Sequence, residues 1–232
     1  INSHYVIMAT KKGQVKKTPL EQYSRPRTNG INAITIREDD ELLEAKLTTG
    51  NSQVMLAVKS GKAIRFEEEK TRPMGRNASG VRGITLGNEK DEVVGMIAVD
   101  DGDSEILVVS ENGYGKRSSI EDYRITNRGG KGVKTINITE KTGKLVAIKN
   151  VTDDDDLMII NKSGIAIRMA VADLRVMGRA TQGVRLIKVR EDDAIAAVAK
   201  AMKDDDDDVE ILEETNDGTT LDNNETQTEN NE

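Results

Sequence analysis

Lysine and arginine recur in this sequence at positions that a regular repeat would bring side by side. Lys17, Arg65, Arg117 and Arg168 each stand four residues after a glycine, namely Gly13, Gly61, Gly113 and Gly164. Arg27, Arg76, Arg128 and Arg179 lie just before a second set, Gly30, Gly80, Gly132 and Gly183. Arg82, Lys134 and Arg185 lie just after it, and Asn32 replaces the base in the first instance. Side chains of this kind neutralise anions, and an evenly spaced row of them suits the phosphates of a nucleic-acid duplex. Single strands fit less well, because they are held by stacking on aromatic side chains and the chain has one Phe, four Tyr and no Trp. The plainer alternative is that these cations only solvate strand faces and pair with nearby acids. Their recurrence at equivalent places favours the first reading.

Other candidate chemistry is sparse. The run Arg128-Gly129-Gly130-Lys131-Gly132 could form a nest of backbone N–H groups around a phosphate, or simply a flexible loop. Asp153 to Asp156 lack the ligand spacing of a calcium loop and read as a solvated turn, so no metal is assigned. With no cysteine and a single histidine, His4, the chain lacks thiolate sites, a cysteine nucleophile and most histidine-based catalysis. Tyr5, Tyr23, Tyr114 and Tyr123 read as packing residues. A hydrolase reading would require a catalytic constellation that is missing.

The elements that must hold these cations follow from the same period. The first glycines are 48, 52 and 51 residues apart and the second are 50, 52 and 51 apart. A short apolar run precedes each first glycine, such as Val54-Met55-Leu56-Ala57-Val58 or Leu157-Met158-Ile159-Ile160, and reads as a strand entering a tight hairpin. After each second glycine the pairs Ile34 and Ile36, Ile84 and Leu86, Ile136 and Ile138, and Ile187 and Val189 alternate as in a half-buried strand. A last run, such as Val93-Val94 or Ile195-Ala196-Ala197-Val198, follows an acidic turn. Each repeat is thus expected to supply about four strands, and the fold is expected to be all-β, a propeller or pinwheel of stacked blades. The expected repeats are 1–50, 51–102, 103–153 and 154–203, followed by a disordered acidic tail, 204–232.

Charge divides along the same line. The chain carries 34 Lys and Arg against 41 Asp and Glu, yet all the bases precede residue 204 while thirteen of the acids lie from there onward. The body is basic and the tail strongly acidic, so a tethered polyanion sits beside the basic rows and can compete with phosphate. No apolar run is long enough to cross a membrane and no secretory signal opens the chain, which reads as a cytosolic fragment with no membrane partner.

Several of these segments resemble the C-terminal domain of the DNA gyrase A protein. They are Ala9-Thr10-Lys11-Lys12-Gly13, Arg65-Phe66, Met74-Gly75-Arg76 with Gly80-Val81-Arg82-Gly83-Ile84, Asn112-Gly113-Tyr114-Gly115-Lys116-Arg117, and Val176-Met177-Gly178-Arg179 with Thr181-Gln182-Gly183-Val184. The resemblance covers residues 5 to about 200. It implies a pinwheel of six blades with a basic rim around which duplex DNA wraps, and hence two further blades before those visible here. The family's first-blade box has only a partial likeness in Thr126-Asn127-Arg128-Gly129-Gly130-Lys131-Gly132. The resemblance also implies a parent enzyme, an A2B2 assembly with the gyrase B protein, that uses ATP and Mg to introduce negative supercoils at the nucleoid. Cleavage and ATP hydrolysis would reside outside this chain, which needs no cofactor of its own. The related domain of topoisomerase IV and a protein-interaction propeller are the alternatives.

Overall fold

The computed structural model describes residues 3–100 and 105–202. The acidic tail, 204–232, lies outside the described residues. The strands in chain order are β1 (Tyr5–Thr10), β2 (Gln14–Pro19), β3 (Leu42–Thr48), β4 (Gln53–Val58), β5 (Lys62–Glu67), β6 (Val81–Arg82), β7 (Val93–Val99) and β8 (Glu105–Ser110). They continue with β9 (Tyr114–Ser119), β10 (Val133–Lys134), β11 (Leu145–Val151), β12 (Asp155–Asn161), β13 (Ala166–Ala170), β14 (Val184–Arg185) and β15 (Ile195–Met202).

The strands form four antiparallel sheets with the orders β3-β1-β2-β6, β10-β5-β4-β7, β11-β8-β9-β14 and β13-β12-β15. β3, β7, β11 and β15 pack against one another in turn and make the inner edge of the blades. β6, β10 and β14 therefore lie on the outer edge. All-β blades of this kind match the expected fold class.

Blade and repeat do not coincide, however. Repeats two to four each supply four strands, but β6 of the second repeat completes the first sheet, β10 of the third completes the second and β14 of the fourth completes the third. Each outer strand is thus handed back to the preceding blade. This explains two departures from the sequence pattern. The strand after the second glycine is the dipeptide Val81–Arg82 or its equivalents, not the later alternating pair, and Ile84, Ile136 and Ile187 are buried in irregular chain instead. In the first repeat Ile34 and Ile36 lie outside any strand, since no earlier sheet among the described residues offers an edge to pair with. The fourth sheet has three strands for the corresponding reason.

Blades are joined by apolar layers. Val54, Leu56 and Val58 on β4 face a core shared with Ile7, Ala9 and Val15 of the first sheet. Met55 and Ala57, on the opposite face of β4, meet Ile106 and Val108 of the third sheet. Leu107 and Val109 in turn meet Leu157 and Ile159. Successive side chains of a strand point to opposite faces, so a strand covered on both sides reads as a continuous apolar run. At the hairpin before β9, Gly113 has φ 79, and a Cβ there would stand 2.4 Å from the Ile187 carbonyl oxygen, so only glycine fits.

Candidate nucleic-acid interface

The handed-back segment docks in the same way at each junction. The amides of Met74, Thr126 and Met177 donate to the carbonyls of Lys17, Arg65 and Arg117 at 2.7, 2.9 and 2.8 Å. Further on, Gly83, Thr135 and Leu186 donate to Gly13, Gly61 and Gly113, each at 2.8 Å. Between these two anchor points the loops 74–80, 126–132 and 177–183 bulge beyond the second strand of the preceding blade. The second glycine of each repeat ends its loop. Gly132 has φ 72, and a Cβ on it would lie 2.5 Å from the Ala63 carbonyl oxygen.

Three of the expected anion-binding residues lie inside the fold and not on the stripe that sequence spacing suggested. Lys17, Arg65 and Arg117 are 4%, 6% and 7% exposed. The Arg65 guanidinium donates to the carbonyls of Ile120 and Tyr123 at 2.7 and 2.8 Å, clamping the 3-10 turn Ile120–Asp122 of the next repeat. Arg117 donates to the Leu174 carbonyl and pairs with Glu105 at 2.8 Å and with Asp153. Lys17 pairs with buried Glu68 at 3.2 Å and lies over the Tyr5 ring. These cations hold one repeat to the next, because the following repeat packs over that position. Arg168 is exposed and pairs with Asp156 at 2.7 Å.

The remaining candidates gather on the outer edge. Arg82, Lys134 and Arg185 stand on β6, β10 and β14 and are exposed. Arg76, Arg128 and Arg179 are half-buried in the bulging loops and form a ladder. Arg76 donates to the Asn32 carbonyl at 3.0 Å, Arg128 to that of Arg82 at 3.0 Å, and Arg179 to that of Lys134 at 2.7 Å. Each loop arginine is therefore tied to the backbone at the outer-edge position one repeat earlier, which at the second and third junctions sets two charges side by side. Arg185 also donates to the Tyr114 hydroxyl at 2.9 Å and holds that phenol below its usual range. Arg27 and Lys131 are exposed.

The glycine-rich run packs against the preceding repeat. The Gly129 amide donates to the Gly83 carbonyl at 2.6 Å and is spent. Beside it lies a cavity of about 260 Å³ lined in part by Arg124, Asn127, Gly130 and Lys131. The acidic run after Val151 is not a solvated turn throughout. Asp155 and Asp156 are buried at the start of β12, where Asp155 pairs with Lys200 at 3.3 Å. Among the described residues no group of three or more His, Asp or Glu is arranged to hold a metal ion, and no helix is long and apolar enough to cross a membrane.

Two further sets of cations carry no label in the sequence pattern above. Arg72, Arg124 and Arg175 are exposed just before the bulging loops, each eleven residues after a hairpin glycine, so the same period could have found them. Lys16 and Lys116 are buried beneath the loops. Desolvation lowers both to a pKa of about 8, Arg76 adding to the effect on Lys16 and Arg179 on Lys116, while Asp122 opposes it at Lys116. Nothing in a strand pattern distinguishes an inward lysine from an outward one.

The four repeats find their counterpart among known proteins. The pattern of the family described as DNA gyrase C-terminal domain, beta-propeller matches residues 4–49, 53–100, 104–152 and 155–202. The chain belongs to that family. The DNA gyrase A protein of Staphylococcus aureus strain MRSA252 is 48% identical over 208 residues, covering 89% of this chain and 23% of that protein. The gyrase A protein of strain NCTC 8325 / PS 47 is likewise 48% identical, over 205 residues. The chain thus spans about a quarter of the length of the curated gyrase relatives that it matches. The crystal structure of the C-terminal domain of DNA topoisomerase IV superposes with a TM-score of 0.81 at 24% identity, covering 86% of this chain and 62% of that one. The structure of a DNA gyrase A C-terminal domain gives 0.76 at 24% identity, covering 86% and 66%. At that identity the two structures speak for the fold, and the gyrase family pattern speaks for the lineage.

Proposed function

We propose that this chain binds duplex DNA without sequence preference along its outer edge and bends it, as the wrapping element of a DNA gyrase. The observation that carries this reading is the row of Arg76, Arg82, Arg128, Lys134, Arg179 and Arg185 on successive blades, in which Arg128 is tied to Arg82 and Arg179 to Lys134. Cations repeated around a curved edge neutralise phosphates along a bent duplex, and the displaced counterions make binding steeply salt-dependent. Duplex is favoured over single strand because Tyr114 and Tyr123 are buried and few aromatic faces remain for stacking.

Within the same reading, the DNA is cut and ATP and Mg are used elsewhere, by the rest of the gyrase A protein and by the gyrase B protein in an A2B2 enzyme acting at the nucleoid in the cytoplasm. This chain then contributes the binding and bending of the duplex and no catalytic group. The identity of 48% to gyrase A proteins favours gyrase over topoisomerase IV as the parent.

The test is a binding isotherm with a linear duplex of about 150 base pairs over a salt series, with end-to-end FRET reporting bending. If roughly six to eight phosphates are neutralised, log K falls against log salt with a slope of about −5 to −7. A slope near zero, or binding with no change in end-to-end distance, defeats the reading.

A further inference from the structure

The residue three places after each hairpin glycine alternates between lysine and isoleucine: Lys16, Ile64, Lys116 and Ile167. Lys16 and Lys116 are 0% and 1% exposed, so their ammonium groups do not reach phosphate. They point instead at the underside of the bulging loops. Lys16 Nζ donates to the Arg76 carbonyl at 2.6 Å and to the Ala33 carbonyl. Lys116 Nζ donates to the Gly178 carbonyl at 2.5 Å. At the second junction the equivalent Ile64 lies apolar under its loop.

The loops above are complementary to this alternation. Immediately before the second glycine stand Ser79 over Lys16, Lys131 over Ile64 and Gln182 over Lys116. At the position three after the hairpin glycine and the position before the second glycine, taken together, every described junction therefore holds one lysine beside its loop arginine. At the second junction the lysine is in the loop and exposed, and at the other two it comes from the strand beneath. A burial cost for a charged lysine is sustained at those two places, where an isoleucine would fit the same fold.

Carbonyl oxygens facing outward from a rim loop would repel phosphate. An ammonium beneath the loop holds the Arg76 and Gly178 carbonyls inward and adds its own charge at short range through poorly screened protein. We propose that Lys16 and Lys116 are positioning residues for duplex DNA, setting the rim loops of Arg76 and Arg179 from below and supplying there the charge that Lys131 supplies from above. This inference rests on the DNA-binding reading given above. The charged or titratable groups that face them are Arg76 and the Tyr23 hydroxyl, which shares the Ala33 carbonyl, at Lys16, and Asp122 and Arg179 at Lys116.

The experiment uses the full chain and the same linear duplex, comparing the unmodified protein, Lys116→Ile, and Lys116→Ile with Gln182→Lys. Lys116→Ile weakens binding about fivefold and makes the salt slope shallower, and adding Gln182→Lys restores both because the lysine now sits as Lys131 does. The affinity of the unmodified chain declines between pH 7 and pH 9, and this decline is smaller in Lys116→Ile. Affinity of Lys116→Ile within twofold of the unmodified chain at every pH overturns the proposal. Loss of the cooperative thermal transition in Lys116→Ile also overturns it, since the lysine would then hold the fold and not the rim. Failure of the unmodified chain to bind in a salt-dependent way is a separate outcome, which removes the DNA-binding reading itself and the proposal with it.

Discussion

Arg65 donates from its guanidinium to the carbonyl of Tyr123 at 2.8 Å, across 58 residues of sequence and from one blade to the segment that completes it. The same guanidinium reaches the Ile120 carbonyl, so one side chain satisfies two backbone acceptors on buried residues at either end of the 3-10 turn. Truncating a buried charge that makes such bonds leaves its acceptors unpaired and opens a cavity. Arg65→Ala is therefore expected to destabilise the chain by about 3–5 kcal/mol. Urea denaturation monitored by circular dichroism measures this. A loss below about 1 kcal/mol, of the size seen for an exposed pair, would mean that the clamp is not made in solution.

The outer cations should behave in the opposite way. Arg82 and Lys134 are exposed on short edge strands, and replacing either with alanine is expected to change stability by less than about 0.5 kcal/mol, whereas Arg185 also serves the hydroxyl of buried Tyr114. The salt slope of DNA binding should fall by about one unit for each residue removed. Isotherms at four or more salt concentrations resolve that difference. A parallel drop in melting temperature would instead assign these residues to the fold.

The contrast between Arg65 and Arg82 shows where sequence alone stops being informative. Both are arginines at repeating positions, and the period that revealed the blades revealed both. Which one faces solvent depends on the return of β6 and β10 to the preceding sheet, a long-range pairing that leaves only a two-residue trace in sequence. The apolar runs of β4, β8 and β12 were legible because burial on both faces needs no partner to be named. The outer strand of the first three sheets lies a few residues before the alternating pair, because Ile84, Ile136 and Ile187 alternate as strand residues do while lying in irregular chain. Lys16 and Lys116 share one position of the repeat, yet the sequence does not show their burial, since it is decided by loops some sixty residues away.

Arg72, Arg124 and Arg175 extend the cationic edge on the other side of the bulging loops, and Arg124 lines the cavity beside Lys131. If the duplex crosses each junction, these residues contact phosphate as the outer-strand cations do. Replacing all three with glutamine is expected to lower the salt slope by about two to three units while leaving bending by the remaining contacts detectable. FRET and isotherms on the triple variant measure the two effects separately. An unchanged slope would confine the DNA path to β6, β10 and β14.

The buried lysines also make stability depend on pH with a definite sign. Lys16 and Lys116 have a pKa of about 8 in the fold, against an ordinary value of 10.5 that the unfolded chain regains. Between these values the unfolded chain binds more protons, so stability rises as pH increases from about 8 towards 10.5. Below pH 8 both states carry the charge and the full cost of burying it is present. Relative to a Lys16→Ile, Lys116→Ile double variant, which has no ammonium to bury, the unmodified chain should therefore gain on the order of 2 kcal/mol per lysine across that interval. Urea denaturation of the two proteins at pH 7, 8.5 and 10 follows the difference without interference from tyrosines that they share. DNA affinity should move the other way over the same range, because the proton that destabilises the fold is the one that charges the rim. A stability difference that stays constant from pH 7 to pH 10 would show that these ammonium groups are as well solvated in the fold as in the open chain.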